Sequence, residues 1–364
     1  MQYRIHPKTK DRISVIGIGT SSIYEVAEEE AVKALRKAYE GGINYFDLAA
    51  GHASAFPLFR KALSDVREQV FYQIHFGADY SQGEYGWTLE LDQVKHALKD
   101  MLEALGTDYI DYGFIHCQDE VEDWETYQKN GVLDYLLSLK EQGIVHHIGL
   151  SSHTPSVIQK IMDEVDIDTL MFSINPAYDY GEGEFANGSV HEREAVYQRC
   201  EREGVAISVM KPFSGGQLLD ASVSPFGKAL SIHQCIRYAL DKPGVLTVLC
   251  GAQSTAQVED LLSFDQKSEE ELDYSLISSL TPKEALGKCV YCNHCRPCPA
   301  GLDIGLINKY YDLSLAGDIM AKEHYKNLSR HASDCLHCGH CNKRCPFGVS
   351  QSEHMAEIAE YFGV

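Results

Sequence analysis

The sequence predicts an α/β protein, a closed (β/α)8 barrel followed by a small, mainly helical, cysteine-rich domain. Three observations carry this. Eight short apolar runs alternate with amphipathic helical stretches through residue 262, the grammar of strands that are each followed by a helix. No G-x-G-x-x-G opens a helix, which weighs against the alternative of an open doubly wound sheet. Eight of the twelve cysteines lie beyond residue 288, in two tight runs.

The expected strands, in order, are SVIGIG (14–19), NYFDLA (44–49), VFYQI (70–74), YIDYGFIH (109–116), HHIGL (146–150), LMFSI (170–174), AISVM (206–210) and GVLTVLC (244–250). Helical windows such as EEEAVKALRKAYEGG (28–42), LELDQVKHALKDMLEALG (89–106) and VLDYLLSLKEQG (132–143) repeat apolar residues at i, i+3 and i+4 and stop at glycine. Two connections are long, polar and glycine-rich: HFGADYSQGEYGW (75–87) and NPAYDYGEGEFANGSVH (175–191). Both leave the carboxyl ends of strands, where barrel active sites are built. Their aromatic residues Tyr80, Tyr85, Trp87, Tyr178 and Tyr180 offer a surface for an organic molecule, or simply pack the loops. The expected division is a barrel over 1–265, an acidic connector over 266–288 and the cysteine-rich domain over 289–364. Between its cysteine runs that domain shows helical periodicity and few strand formers.

Hydrophobic content of 44% and charged content of 23% are those of a globular protein. A net charge of −21 argues against nucleic-acid and anionic membrane partners. No stretch approaches the ~18 apolar residues of a membrane span, and the first residues contain no apolar core of a secretory signal. The expected location is therefore cytoplasmic, where clustered cysteines read as metal ligands rather than disulfides.

The first run spaces Cys289, Cys292, Cys295 and Cys298 as C-x2-C-x2-C-x2-C-P. The second spaces Cys335, Cys338, Cys341 and Cys345 as C-x2-C-x2-C-x3-C-P, the bacterial ferredoxin run for a [4Fe–4S] cluster. Each offers three thiolates for three corners of a cubane and a fourth cysteine followed by proline. In two-cluster ferredoxins that fourth cysteine ligates the other cluster. The expected sets are thus Cys289, Cys292, Cys295 and Cys345 for one cluster, and Cys335, Cys338, Cys341 and Cys298 for the other. A pair of structural zinc ions is the alternative, since repeated C-x2-C is also zinc grammar. Cys117, Cys200, Cys235 and Cys250 stand singly in or beside apolar runs and read as small buried hydrophobes, with Cys117 kept as a minor candidate for a reactive thiol.

INYFDLAAGH (43–52), YIDYGFIH (109–116), HHIGLSS (146–152) and MKPFSGGQLL (210–219), in that order, resemble the aldo-keto reductase barrel. With the cysteine runs, nearly the whole chain resembles the branch of that family fused to a [4Fe–4S] ferredoxin domain. The resemblance implies an Asp–Tyr–Lys–His tetrad in which tyrosine protonates a carbonyl while NADPH gives hydride. Asp47 falls on the aspartate and His116 on the histidine, but His52 stands at the tyrosine position and His75 at the lysine position. Histidine titrates nearest neutral pH and can take over acid–base work.

The implied nicotinamide contacts fall on Ser151, Ser152 and Met171, with Met210 where a tyrosine stacks on the ring. Gln253 and Gln257 stand where the family places cations on the 2′-phosphate. Backbone groups at Gly215 and Gly216, and at Gly251, Ala252, Gln253 and Ser254 before a helix, remain phosphate candidates. A phosphate site without its charged clamp, beside a one-electron wire, leads to FMN as the expected organic cofactor, with Lys211 near an anionic flavin ring and NADP(H) as the alternative. The expected function is an iron–sulfur oxidoreductase that passes electrons through two [4Fe–4S] clusters to or from a small organic molecule at the barrel mouth. Ferredoxin or flavodoxin would serve as the low-potential partner. The alternatives are an NADP(H)-dependent carbonyl reductase, a non-enzymatic electron-transfer protein on a degenerate barrel, and a metal-dependent hydrolase using Asp47, His52, His75 and His116. His153, just beyond the fifth strand, is a further residue expected to face the site.

Overall fold

The structure is a computed structural model. It describes residues 1–364 apart from 180, 182, 184, 275–276, 278–288, 290–294, 316–318 and 346–347. A hairpin of β1 (Tyr3–Ile5) and β2 (Arg12–Ser14) precedes the barrel. The barrel strands are β3 (Ile16–Gly19), β4 (Tyr45–Asp47), β5 (Phe71–Phe76), β8 (Ile110–Ile115), β9 (Val145–Ser151), β10 (Thr169–Ser173), β11 (Ala206–Met210) and β12 (Val245–Gly251). Two short strands, β6 (Ala78–Asp79) and β7 (Gly86–Trp87), form a ribbon in the loop after β5. The eight barrel strands pair in parallel around a ring that closes through β4 and β5. The closed barrel is therefore the architecture, and each expected strand overlaps one of its strands.

Closure fills the lumen with side chains, as a barrel of this size requires. Tyr45, Tyr112, Phe114, Met171, Met210 and Leu249 pack there. Gly149 on β9 makes room: a Cβ at this position would meet the Phe114 ring at 2.5 Å. At the amino end, the turn between β1 and β2 closes the barrel floor. His6 in that turn is fully buried, its Nδ1 accepting from the N–H groups of Lys8 and Thr9 and its Nε2 3.1 Å from the Thr169 hydroxyl.

The carboxyl ends of the strands bear the irregular backbone. Cys117 after β8, and Lys211 and Ser214 after β11, adopt left-handed φ values of 50°, 55° and 51°. Non-glycine residues held there cluster at functional sites.

Beyond the barrel the described elements are helical, as expected for the cysteine-rich module. Helices Ile304–Leu315, Ile319–Lys326, His340–Arg344 and Gln351–Phe362 surround a core of Leu302, Ile304, Ile307, Tyr325, Met355 and Ile358, which Cys295 and Cys341 join. Tyr325 stacks on Phe362 at 3.7 Å. Most of the connector lies outside the described residues, as does Cys292 of the first run. Among the described residues no helix is long and apolar enough to cross a membrane.

Candidate active site and cluster-binding cysteines

At the mouth of the barrel four side chains form a continuous hydrogen-bonded row. Asp47 ends β4, His75 lies near the end of β5, and His116 follows β8. Asp47 Oδ1 is 2.7 Å from His75 Nε2, and His75 Nδ1 is 3.0 Å from His116 Nδ1. His116 Nε2 is 2.7 Å from the Tyr85 hydroxyl. One assignment of protons satisfies every link: His75 donates from Nε2 to the carboxylate, His116 donates from Nδ1 to His75, and Tyr85 donates to His116 Nε2. Burial first, and then the neighbouring His75, hold His116 well below the ordinary imidazole range, so it is neutral and keeps a lone pair for the row.

The lumen supports this row from beneath. Gln73 donates to Asp47 Oδ1 at 3.1 Å and to the Met171 sulfur at 3.2 Å, while its own carbonyl accepts from Tyr45 at 2.8 Å. Gln73 and Tyr85 are the members that sequence reasoning missed as chemistry. Gln73 sits two residues before His75 on the same face of β5, which alternation along the strand does signal. Tyr85 comes from the ribbon loop, and its placement is tertiary. Tyr85 N–H donates to the Gly51 carbonyl at 3.0 Å, and Ala53 N–H to the Gly83 carbonyl at 2.7 Å, folding the two loops together.

The expected residues do not all converge. His52 stands apart: its Nδ1 accepts from Ser54 N–H at 3.1 Å, capping the short turn Ala53–Ala55, and its ring stacks on Tyr24. Ser152 Oγ donates to Asp119 at 3.2 Å, and Ser151 is buried at the end of β9. The Lys211 ammonium lies 3.9 Å from the centre of the Phe185 ring, which also stacks on His153 at 4.2 Å. A surface groove that includes Arg67, Glu68 and Tyr109 opens at the amino ends of the strands, away from this chemistry.

The two glycine-rich phosphate candidates differ. Gly215 and Gly216 have φ of 63° and 92° with no heavy atom within 4 Å of a built Cβ, an open cradle. The other, at the start of helix Thr255–Leu262, is already filled. Gln257 accepts from Gln253 N–H at 2.7 Å, and Glu30 accepts from Thr255 N–H at 2.8 Å. Gln253 also donates its side-chain N–H to Glu25 at 2.8 Å. Bonds from Thr255 hold the Glu30 carboxyl below its usual range, so two carboxylates face the place where a 2′-phosphate is expected.

In the C-terminal module, Cys298, Cys335, Cys338 and Cys341 line one cavity together with Cys295, Pro299, Ile304 and Leu336. Five cysteines around one small cavity fit a thiolate-held cluster. The module also covers the barrel mouth. His324 stacks on Tyr310 at 5.7 Å and packs against Trp87 at the same distance, and Lys309 donates to Asn187 at 3.0 Å.

Residues 15–230 match the aldo/keto reductase family, and residues 285–349 match a 4Fe-4S dicluster domain. The chain is similar to the uncharacterized oxidoreductase YqkF of Bacillus subtilis (strain 168), 23% identical over 274 residues that cover 68% of this chain and 86% of the relative. It is also similar to L-galactose dehydrogenase of Arabidopsis thaliana, 25% identical over 286 residues that cover 68% and 83%. Among solved structures, aldo-keto reductase AKR11C1 from Bacillus halodurans, in its holo form, shares the fold with a TM-score of 0.63 at 22% identity, covering 78% of this chain and 97% of that one. A closed parallel barrel with Asp47 and His116 at its mouth and a cysteine-lined helical module over it accord with both matches, and the chain belongs to the aldo/keto reductase family as an iron–sulfur oxidoreductase.

Proposed function

We propose that this oxidoreductase exchanges single electrons through two [4Fe–4S] clusters with an organic substrate at the barrel mouth, and that the row Tyr85–His116–His75–Asp47 moves the accompanying proton. The observation that carries this reading is the unbroken row of bonds of 2.7, 3.0 and 2.7 Å. When bound, the clusters supply one-electron transfer. Tyr85 presents its hydroxyl to the substrate oxygen. When it takes a proton there, its own passes to His116 Nε2, the His116 Nδ1 proton to His75 and the His75 Nε2 proton to the Asp47 carboxylate; delivery of a proton to the substrate runs from the reversed row. Gln73 fixes Asp47, and Met171 closes the lumen beneath it.

The proposed ligand sets are Cys335, Cys338, Cys341 and Cys298 for one cluster and Cys289, Cys292, Cys295 and Cys345 for the other, with domain boundaries near residues 265 and 289. The first set is supported by the cavity that its four thiols share, which Cys295 of the other set also lines. A low-potential donor such as a ferredoxin or flavodoxin would fill the clusters. Two carboxylates at the start of helix Thr255–Leu262 oppose a 2′-phosphate and favour cluster delivery over NADP(H). The flavin expectation finds no support in the comparisons, and the reading includes no FMN.

The test is anaerobic. Protein purified without oxygen is reduced with a low-potential donor and mixed with a panel of carbonyl compounds, and cluster reoxidation is followed by absorbance. Substrate-dependent reoxidation, slowed by Tyr85→Phe, supports the reading. Equal rates in parent and variant would overturn it.

A further inference from the structure

The barrel mouth contains a second group of donors that the proton row does not use. Cys117 follows β8, Asp119 lies two residues on, and His153 follows β9. One donor atom from each lies within 4.8 Å of the others. Asp119 Oδ2 is 2.8 Å from His153 Nδ1 and 3.9 Å from Cys117 Sγ. A fourth donor arrives from the C-terminal module, where His324 Nε2 is 3.5 Å from Cys117 Sγ. We propose that Cys117, Asp119, His153 and His324 bind one zinc-class divalent cation that fastens the C-terminal module to the barrel.

The spacing fits. Zinc bonds of about 2.3 Å to sulfur and 2.0–2.1 Å to nitrogen or oxygen set donor-to-donor edges of roughly 3.3–3.6 Å in a tetrahedron. The observed separations of 2.8, 3.5 and 3.9 Å bracket that range and need only small shifts. These four side chains share the wall of one small cavity, with Phe185, Tyr310, Met320 and Ala321 as the remainder. Its apolar walls keep out competing water, and mixed thiolate, imidazole and carboxylate donors suit a borderline-soft cation.

Two further observations point the same way. His153 is 2% exposed, and its Nδ1 already points at Asp119 Oδ2 at 2.8 Å, so the two groups turn onto one ion once Nδ1 gives up its proton. Cys117 holds a left-handed φ of 50°, a strained conformation that the surrounding structure must impose. The Cys117 thiolate and Asp119 carboxylate neutralise a dication. Four protein donors leave no open position, so the site is structural.

The experiment uses the full chain with its clusters intact. It is stripped of loosely held metal and loaded anaerobically with Zn²⁺ alone. The expected result is one tightly held zinc whose X-ray absorption edge reports one sulfur and three nitrogen or oxygen neighbours. His324→Ala, a change at the half-buried edge of the site, and Cys117→Ser should each weaken zinc at least about 100-fold while iron and sulfide content stays constant. Cys200→Ser, a buried cysteine outside the group, should bind zinc as the parent does. No zinc retained by the cluster-loaded chain would overturn the proposal. So would a four-sulfur environment, which places zinc in a cluster site, or unchanged affinity in His324→Ala.

Discussion

The Tyr85 hydroxyl lies 2.7 Å from Nε2 of His116, although the two residues come from different loops of the barrel. A phenol is thus restored to a site in which the residue five positions after Asp47 is a histidine. It enters from the other side, on a ribbon that the loop after β5 forms for itself.

Tyr85→Phe retains the ring and its packing but removes the mobile proton. Turnover should fall by about 10²–10⁴-fold, the usual range for a general acid or base, with iron content unchanged. His116→Ala should fall comparably. His52→Ala should cost much less, because His52 makes its contacts with Ser54 and Tyr24. A His52→Ala defect as large as that of Tyr85→Phe, in the same reoxidation assay, would transfer the acid role to His52.

NADPH should bind feebly. Glu25 and Glu30 stand at the end of the barrel where a 2′-phosphate would need cations, and the first N–H groups of that helix are already engaged. A fluorescence titration should show no saturation at micromolar NADPH. Tight binding, or fast turnover with NADPH alone, would revive the ordinary hydride mechanism.

Loaded protein should contain about eight iron and eight sulfide per chain, and Cys341→Ser should retain about half of each. The barrel should unfold thermally as in the parent, since the Cys341 neighbours lie in the module. Two zinc ions without acid-labile sulfide in the parent would refute the cluster assignment.

Acid should destabilise the fold through its buried neutral histidines. Burial pushes His6 down to about 4, against about 6.5 in the unfolded chain, so the unfolded state binds the proton first. Stability is therefore full above pH ~6.5 and declines as pH falls from ~6.5 towards about 4, by about 2–3 kcal/mol from His6 alone. Urea midpoints measured across that window should fall in the parent. They should fall less in His6→Asn, whose carbonyl can still accept from Lys8 and Thr9. Equal slopes would remove His6 from the account.

Gly149→Ala should cost about 1–3 kcal/mol, because the new methyl meets the Phe114 ring at 2.5 Å. Adding Phe114→Leu should recover part of that loss in the urea midpoint, and failure to recover any would mean the backbone itself is strained.

The barrel was legible because its strands are uninterrupted apolar runs, and two buried faces leave such a strand little alternative. Asp47, His75 and His116 were legible because each sits at the carboxyl end of such a strand. Tyr85 was not, since its position depends on backbone bonds between loops around residues 51–53 and 83–85, which no local pattern encodes. Glu30 is a similar case. In the sequence it is one of three glutamates opening helix Glu28–Glu40, and only folding shows it capping a helix that begins at Thr255. His52 was misleading for the converse reason: spacing counts residues along the chain, whereas the short turn after it rotates its ring towards Ser54.

The contact between Cys117 and His324 spans 207 positions of the chain. Joining points so distant costs roughly 5 kcal/mol of chain entropy beyond a constant, and nothing short-range repays it in advance. The helical roof therefore docks late, after β5, β8 and β9 have brought Trp87, Cys117 and His153 into register beneath it. A folding chain completes its proton row before the cover arrives, so the order of assembly leaves the reactive interior open to solvent until the helical module has docked. Any mutation that slows docking would lengthen that interval without altering a single contact of the finished molecule.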